Sequence, residues 1–329
     1  MIKSLISKMC CPICKHKLFW DIQSEENNRI IQADIQCEKC GVTFSVRDTI
    51  GNFLVPDKNG YVENDNFQQQ KDFISTLQPE VIERLLHADP YELNVSDLTF
   101  LSEIYLSQNK IRNSIKTKML ARKKKYSEEY NQTIKSQLQS FDNLVNWDSQ
   151  TVLDIATGRG TLLKLLLRNN PKSIVGSDIS LEPLQGLKRE LERAERYANT
   201  SLLVMNAKMI PFVTNSFDII TSFHGINHIQ NTSDLLSESM RVSERLLSVD
   251  NIGIERNRKF YDNGIKHTEN TLTEIANRLQ YNILFHSKKN IVVVPTPQGE
   301  IIPLRANTYP LEPCNVINCI IDVRKKNSE

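Results

Sequence analysis

Long apolar runs are missing from this chain. No stretch approaches the ~20 consecutive apolar residues that cross a bilayer, and the opening MIKSLISKMCCPICKHK lacks the apolar core of a secretory signal. A cytoplasmic protein without a membrane partner is expected. A surplus of one charge is missing too: Lys and Arg number 41 against 39 Asp and Glu, a formal +2. No global field therefore draws the molecule to nucleic acid, and any such attraction is local. With 11 Gly and 12 Pro in 329 residues, collagen-like and low-complexity architectures are excluded. Hydrophobic residues at 40% and charged residues at 24% allow a sizeable core, and the length fits two domains or one large domain with an appendage.

Cysteine is present but unevenly placed. There are seven, an odd number, and five lie within the first 40 residues, which argues against a secreted disulfide framework and for metal. Cys11 and Cys14 form one CxxC pair and Cys37 and Cys40 a second, with 22 residues between the pairs. Each CxxC turn aims two sulfurs at one point, and a hairpin between them closes a tetrahedral set. Zinc is the first assignment, iron the second and a redox dithiol the third, with Cys10 or His16 as stand-in ligands. A closed four-cysteine site leaves no position for substrate, so the metal is expected to be structural and to supply folding energy to a small module.

Three textures divide the chain. Residues 1–58 carry the cysteines and short strands; 59–145 read mostly as helices, ending in a Lys-rich helix from Lys110 to about Leu138; 146–329 alternate strand, loop and helix, the pattern of a parallel sheet with crossovers. In the last region a helix is expected from Ser233 to Leu247, then a weak strand NIGIE, then separate strands ILFHS, NIVVVP and NCIIDVRK. The segment CPICKHKL, a spacer and CEKCGVTFSVRDTIGNFL resembles the small zinc-ribbon domain that activates several tRNA and protein methyltransferases and is fused to methyltransferases in some bacterial chains. Phe44-Ser45-Val46 and Asp48-Thr49-Ile50-Gly51 depart from that family's aromatic-Pro strand and Asp-Gly-Ile-Pro.

Val152-Leu153-Asp154-Ile155-Ala156-Thr157-Gly158-Arg159-Gly160 runs a strand into a glycine loop and a helix. Such a loop lies where open α/β sheets bind ligands, and glycine lets the backbone approach closely. A dinucleotide fingerprint would place its third glycine where Leu163 stands, so that reading weakens. An acidic strand end followed by small residues at Ala156, Gly158 and Gly160 resembles instead the first motif of class I S-adenosylmethionine-dependent methyltransferases. Further stations follow in order: Asp178 and Ile179 after the second strand, Asn206-Ala207 after the third, and Phe217-Asp218 leading to Ser222, Phe223, His224, Asn227 and His228. The resemblance implies a Rossmann-like α/β domain that binds S-adenosylmethionine through Asp154, Ala156, Thr157, Gly158 and Gly160, through Asp178 at the ribose, through Ile179, through Asn206 and Ala207 at the adenine, and through Ser222 and Phe223. Asn206 stands where that family has an acid, and the usual Lys-Pro-Gly-Gly turn is absent.

His228 is the first candidate base, with His224 and Asn227 beside it, since an imidazole titrating near neutrality can take a proton from an acceptor. A structural role for His228 is equally weighted. The chain lacks an Asn-Pro-Pro-Tyr tetrapeptide, which lowers exocyclic amines as acceptors. Small-molecule methyltransferases of the quinone-biosynthesis type carry similar fourth-strand sequences, and rRNA guanine methyltransferases share the zinc-ribbon layout. A small-molecule acceptor, including a secondary-metabolite scaffold, is placed ahead of structured RNA; a non-catalytic subunit serving a protein partner through the zinc ribbon is the third reading. Lys110–Lys125 has eight cations and no acid, with Ile111, Ile115 and Met119 as an apolar stripe, and is the candidate RNA contact or simply a solvated face. Tyr91, Phe100, Tyr105, Tyr126, Tyr130 and Phe141 read first as core and second as a cap over the cofactor.

Overall fold

A computed structural model describes residues 1–55, 74–125, 127–255, 264–306 and 310–326. Apolar-polar alternation near the N-terminus produces a meander of β1 (Leu18–Glu26), β2 (Arg29–Cys37), β3 (Thr43–Arg47) and β4 (Ile50–Asn52). In β2, Ile30, Ala33, Ile35 and Cys37 are buried while Gln32, Asp34 and Gln36 face outward. Next come α1 (Pro79–His87), α2 (Val95–Ser107), α3 (Ile111–Lys125) and α4 (Glu128–Asp142). Asn94 caps α2 by accepting from Ser96 N and Asp97 N, and Ser127 caps α4 by accepting from Tyr130 N at 3.1 Å. The Lys-rich helix expected to run to about Leu138 is therefore two helices, because a capping serine at 127 restarts it.

The second half supplies β5 (Thr151–Ile155), β6 (Ser173–Asp178), β7 (Thr200–Val204), β8 (Ile219–Phe223) and β9 (Arg245–Gly253), all parallel, then β10 (Tyr281–Val293) and β11 (Cys314–Lys325), which pair antiparallel. Helices α5 (Thr161–Leu166), α6 (Leu181–Arg193), α7 (Thr232–Val242) and α8 (Glu269–Arg278) cover the sheet. The order is β1-β2-β3-β4-β7-β6-β5-β8-β9-β11-β10. The chain leaves β5 in one direction toward β6 and β7 and in the other toward β8 and β9, so β5 and β8 flank the switch point where such sheets open a ligand crevice.

β4 pairs parallel with β7, Gly51 beside Leu203, and makes the N-terminal meander a continuation of the same sheet. A Cβ at Gly51 would lie 2.6 Å from the Leu203 side chain and 2.9 Å from the Phe53 ring, so the missing side chain lets these two pack over the seam. Met9, Phe44 and Phe53 share one apolar cluster with Leu203, Met205 and Phe212. The expected boundary at residue 58 falls outside the described residues.

Two strand expectations are corrected. The helix expected to reach Leu247 ends at Val242, because Arg245-Leu246-Leu247 is the start of β9, held between β8 and β11; NIGIE is only its distal end. ILFHS and NIVVVP belong to the single strand β10, irregular between His286 and Lys289. In α3 the buried face is Ser114, Thr117 and Ala121, while Met119 is 67% exposed, so the expected apolar stripe is not the packing face. The reason is close approach: α3 presents small residues to α2, and the Ser114 hydroxyl meets Ser102 at 3.0 Å.

The connection between β10 and β11 folds back onto the helical region. Asp97, fully buried, accepts from Glu300 N at 2.7 Å, Ile301 N at 3.1 Å and Ile302 N at 2.9 Å, and Ile302 and Ala306 join the α2 core. The helices are thereby tied to the sheet at its far edge. Among the described residues no helix is long and apolar enough to cross a membrane.

Candidate functional site

Four thiols converge in the N-terminal module. The sulfurs of Cys11, Cys14, Cys37 and Cys40 lie within 4.8 Å of one another, with Cys14 and Cys37 at 3.4 Å, Cys11 and Cys40 at 3.6 Å, and Cys14 and Cys40 at 3.7 Å. Two tight turns carry them, one before β1 and one between β2 and β3, where Gly41 takes the left-handed φ of +73° that the second turn requires. Cys10 is buried and stands outside this cluster.

The second candidate site lies at the carboxyl ends of β5, β6, β7 and β8. The loop after β5 turns through left-handed backbone at Ala156 (φ 49°), Gly158 (φ 52°) and Gly160 (φ 75°). Ala156 is the costly one, since a Cβ disfavours that region. Gly225 opposite has no Cβ to collide with it: an added one would lie 2.7 Å from the Ala156 methyl. Thr157 locks the loop's base, its hydroxyl donating to Asp154 O at 2.8 Å and accepting from Ser177 N at 3.0 Å. Asp178, at the end of β6, accepts from Gly158 N at 2.7 Å and Ser180 N at 3.0 Å, so its carboxylate orders the glycine loop. Ile179 beside it is half-buried.

Asp154 is 1% exposed and accepts from the Thr221 hydroxyl at 2.7 Å. Burial pushes its pKa up to about 7, the threonine hydroxyls oppose this, and the charge of Asp178 adds to it. The two carboxylates are thus electrostatic neighbours. Asn206 is buried after β7 and its side-chain oxygen accepts from Lys208 N at 2.9 Å, with Ala207 half-buried next to it. Ser222, also buried, donates to Ile155 O at 3.1 Å, while Phe223 is half-buried and meets the His224 ring edge-on at 4.3 Å.

Three further predicted residues sit at the mouth of β8. His224 adopts φ 55° and its Nδ1 lies 4.0 Å from Asp250 Oδ1. Its Nε2 is buried with no partner among the described residues. Burial first, then His228, Lys125 and Arg122, lower the His224 pKa to about 3, so the ring is neutral. His228 keeps an exposed surface, while burial of its ring by the surrounding protein and then the charge of Lys266 hold its pKa below the usual histidine value. Asn227 faces inward instead: it donates to Asp250 Oδ1 at 2.9 Å and Asn251 O at 2.6 Å and accepts from Lys266 N at 2.9 Å. Its polar atoms are engaged in holding the turn.

Two groups escape a reading of the sequence alone. Asp250, on β9, is 1% exposed and accepts from Ile226 N, Asn227 and Asn251 N; burial raises its pKa to about 6. An acid inside the run LLSVDNIG is the available signal. The other is a charge cluster over the glycine loop: Arg159 bonds Glu103 of α2, Lys118 of α3 lies 3.7 Å from Glu190, and Lys164 lies 2.8 Å from the same carboxylate. Burial, then Arg159, bring the Lys118 pKa down to about 8. Helices remote in sequence therefore cover the loop. Of the aromatic residues considered for a cap, Phe100 and Phe141 are core, Tyr105 is partly buried against the core that holds Phe100, Tyr130 is buried in a cluster that Phe223 packs against, Tyr91 is exposed, and Tyr126 lies outside the described residues.

Among known proteins, the ubiquinone/menaquinone biosynthesis C-methyltransferase UbiE of Rickettsia typhi is 32% identical over 99 residues, covering 29% of this chain and 40% of its own length. The demethylmenaquinone methyltransferase of Porphyromonas gingivalis is 35% identical over 95 residues, 28% of this chain and 38% of that protein. An uncharacterised protein of Methanocaldococcus jannaschii, MJ1252, is 37% identical over 116 residues, 35% of this chain and 39% of its own. The chain spans about two fifths of the length of these relatives. Residues 153–245, which hold the glycine loop, Asp178, Asn206 and both histidines, match the family described as a methyltransferase domain.

Proposed function

We propose that this protein is an S-adenosylmethionine-dependent methyltransferase that acts on a small-molecule acceptor. The observation that carries the reading is the loop Ala156–Gly160, arched through three left-handed residues and held by Asp178 at the switch point of a parallel sheet, inside the segment matched by the methyltransferase domain. The donor set suits the cofactor: glycines that leave room for its methionine part and sugar, Asp178 at the rim for ribose hydroxyls, and Asp154, buried behind the loop and bonded to Thr221, to order the strand end and reach the ammonium through water. Asn206, whose amide oxygen can accept from an exocyclic amine, suits the adenine. When bound there, S-adenosylmethionine supplies a methyl group on a sulfonium.

The chain's own residues position the acceptor and manage its proton. His228 at the mouth of β8 is the candidate base; His224, held neutral by burial, is suited to a hydrogen bond rather than to taking a proton, and Asp250 with Asn227 fixes the turn that presents both. The small-molecule reading is favoured over RNA because part of the charge of α3 is engaged within the protein: Lys118 faces Glu190, and the exposed Lys124 donates to Tyr91 O at 2.6 Å and Leu93 O at 2.7 Å. The names of the Rickettsia and Porphyromonas relatives, quinone-biosynthesis methyltransferases, support it as well.

The thiol cluster is read as a structural zinc site in a zinc-ribbon module. Four sulfurs ~2.3 Å from a common centre stand about 3.8 Å apart; three of the six pairs lie at 3.4, 3.6 and 3.7 Å and all lie within 4.8 Å. The test of the whole reading has two parts. Calorimetry with S-adenosylhomocysteine is expected to give saturable binding, and radiolabelled methyl donor with fractionated extract is expected to place label in small solutes. Absence of binding overturns the cofactor reading, and label in RNA overturns the acceptor class.

A further inference from the structure

The glycine loop is held by its own sheet and by α6. Asp178 accepts from Gly158 N at 2.7 Å, the Thr157 hydroxyl ties the loop's base to β5 and β6, and Gly160 lies so close over α6 that an added Cβ would stand 2.5 Å from the Leu187 side chain. Gly158 is the open side, where a Cβ would meet nothing within 4 Å. Arg159, between these two glycines, reaches to a different part of the chain: its guanidinium bonds the carboxylate of Glu103 on α2, and Glu103 is only 8% exposed. α2 is itself braced at two further points. Leu106 packs over Gly186 of α6, where an added Cβ would stand 3.4 Å from the leucine side chain. Toward the other end of the helix, Asp97 accepts from the backbone N–H groups of Glu300, Ile301 and Ile302. Gly299 permits that approach, since a Cβ there would lie 2.5 Å from Asp97 Oδ1. α2 is thus a strut between the β10–β11 connection and α6, and Glu103 is the point at which it grips the glycine loop.

We infer that Glu103 is a positioning residue for the cofactor: through Arg159 it holds the glycine loop in the arch that receives the ligand, and it couples α2 to cofactor binding. This deepens the methyltransferase reading and rests on it for the identity of the ligand. The arch includes a left-handed Ala156, φ 49°, a conformation that costs energy for a residue with a Cβ. A loop without an outside restraint relaxes away from such a shape, and part of the binding energy is then consumed in restoring it. An ion pair between exposed side chains would restrain little. Here the carboxylate is buried, so losing either partner leaves the other charge poorly compensated and the pair strongly favours staying closed. The coupling runs both ways: a ligand that favours the arched loop favours the docked α2 by the same factor.

S-adenosylhomocysteine is the probe, titrated by calorimetry into the full chain and into Glu103→Gln, Arg159→Gln and the double variant. Each single variant is expected to bind about tenfold more weakly, and the double variant no more weakly than either, because both changes remove one interaction. In the wild-type protein the ligand is expected to slow amide hydrogen exchange in α2, and in Arg159→Gln that protection is expected to vanish, a response that a merely structural ion pair would not give. Single variants that bind like the wild type overturn the inference, as do losses that multiply to about a hundredfold in the double variant. So does exchange in α2 that is indifferent to the ligand. Should Glu103→Gln not fold, Glu103→Asp, which keeps the charge and shortens its reach, takes its place in the cycle and the same outcomes decide. A wild-type protein that does not bind S-adenosylhomocysteine fails the cofactor reading and this inference with it; wild-type binding with unaffected variants fails this inference alone.

Discussion

The thiol cluster and the glycine-loop crevice are built on opposite principles. In the first, four thiols converge on one point from two tight turns whose left-handed residues are Lys15 and Gly41. In the second, backbone strain at Ala156 and His224, a buried ring nitrogen without a partner, and carboxyls and imidazoles far from their usual pKa values are concentrated around one switch point. Unsatisfied groups and strain persist only where the surrounding fold over-determines them, and they gather where a ligand is to complete the structure. The contrast separates a part whose groups are matched to one another from a part where buried groups stand unmatched among the described residues.

The contrast can be broken most forcefully at the cysteines. Cys37→Ser is expected to remove stoichiometric zinc and lower stability by ~4 kcal/mol or more, the range reserved for loss of a structural metal or similar. Metal analysis and chemical denaturation check it. Because β4 continues into β7, the loss should appear in a single transition of the whole protein; an early transition confined to the N-terminal module would instead show that the shared core is energetically weak.

The crevice predicts a pH signature of opposing signs. Asp154, raised from 3.8 to about 7, favours the fold when protonated, so its contribution is complete below pH 3.8 and is lost as pH rises toward 7. His224, lowered from 6.5 to about 3, favours the fold when neutral, so its contribution is present above pH 6.5 and is lost as pH falls toward 3. Between these limits the two slopes oppose each other, and every tenfold change in a group's proton affinity on folding is worth about 1.4 kcal/mol. Asp154→Asn is expected to make stability climb with pH across this window, and His224→Gln to make it decline, by roughly 4 kcal/mol in either direction. Urea denaturation at several pH values reads both, and equal slopes in the two variants would contradict the burial argument.

At the cofactor end, Asp178→Ala is expected to weaken S-adenosylhomocysteine binding by about 2 kcal/mol, the worth of hydrogen bonds to a charged acceptor, and to loosen the Gly158 loop. Calorimetry checks it. The smallest effect is expected at the seam: Gly51→Ala, which must push aside the Leu203 side chain, should destabilise the fold by ~1 kcal/mol with zinc content unchanged. A loss of zinc in that variant would instead couple the thiol cluster to the seam more tightly than the packing implies.

Much of this architecture is legible in the residues alone. The two CxxC pairs announce a cluster because ligand spacing is local, and the run from Val152 to Gly160 announces its turn because only small residues tolerate that backbone. Asp178, Asn206 and Ser222 fall at strand ends as their spacing implies, for each parallel strand in such a sheet delivers its last residue to the same edge. The end of α7 is illegible because Arg245-Leu246-Leu247 has helical propensity and only its pairing with β8 and β11 makes it a strand. The packing face of α3 is illegible for a related reason: small polar residues read as exposed until a neighbouring helix is near enough to bury them.

Residue order alone, then, determined the thiol set, the glycine loop and the strand-helix rhythm, since each depends on neighbours within a few positions. Tertiary structure decided that the N-terminal strands extend the same sheet through Gly51, that α2 and α3 lie over the loop through Glu103 and Arg159, and that Asp250 sits beside His224. These pairings join residues tens to about 150 positions apart. No local pattern encodes them, because the burial that makes each favourable exists only once the sheet has closed.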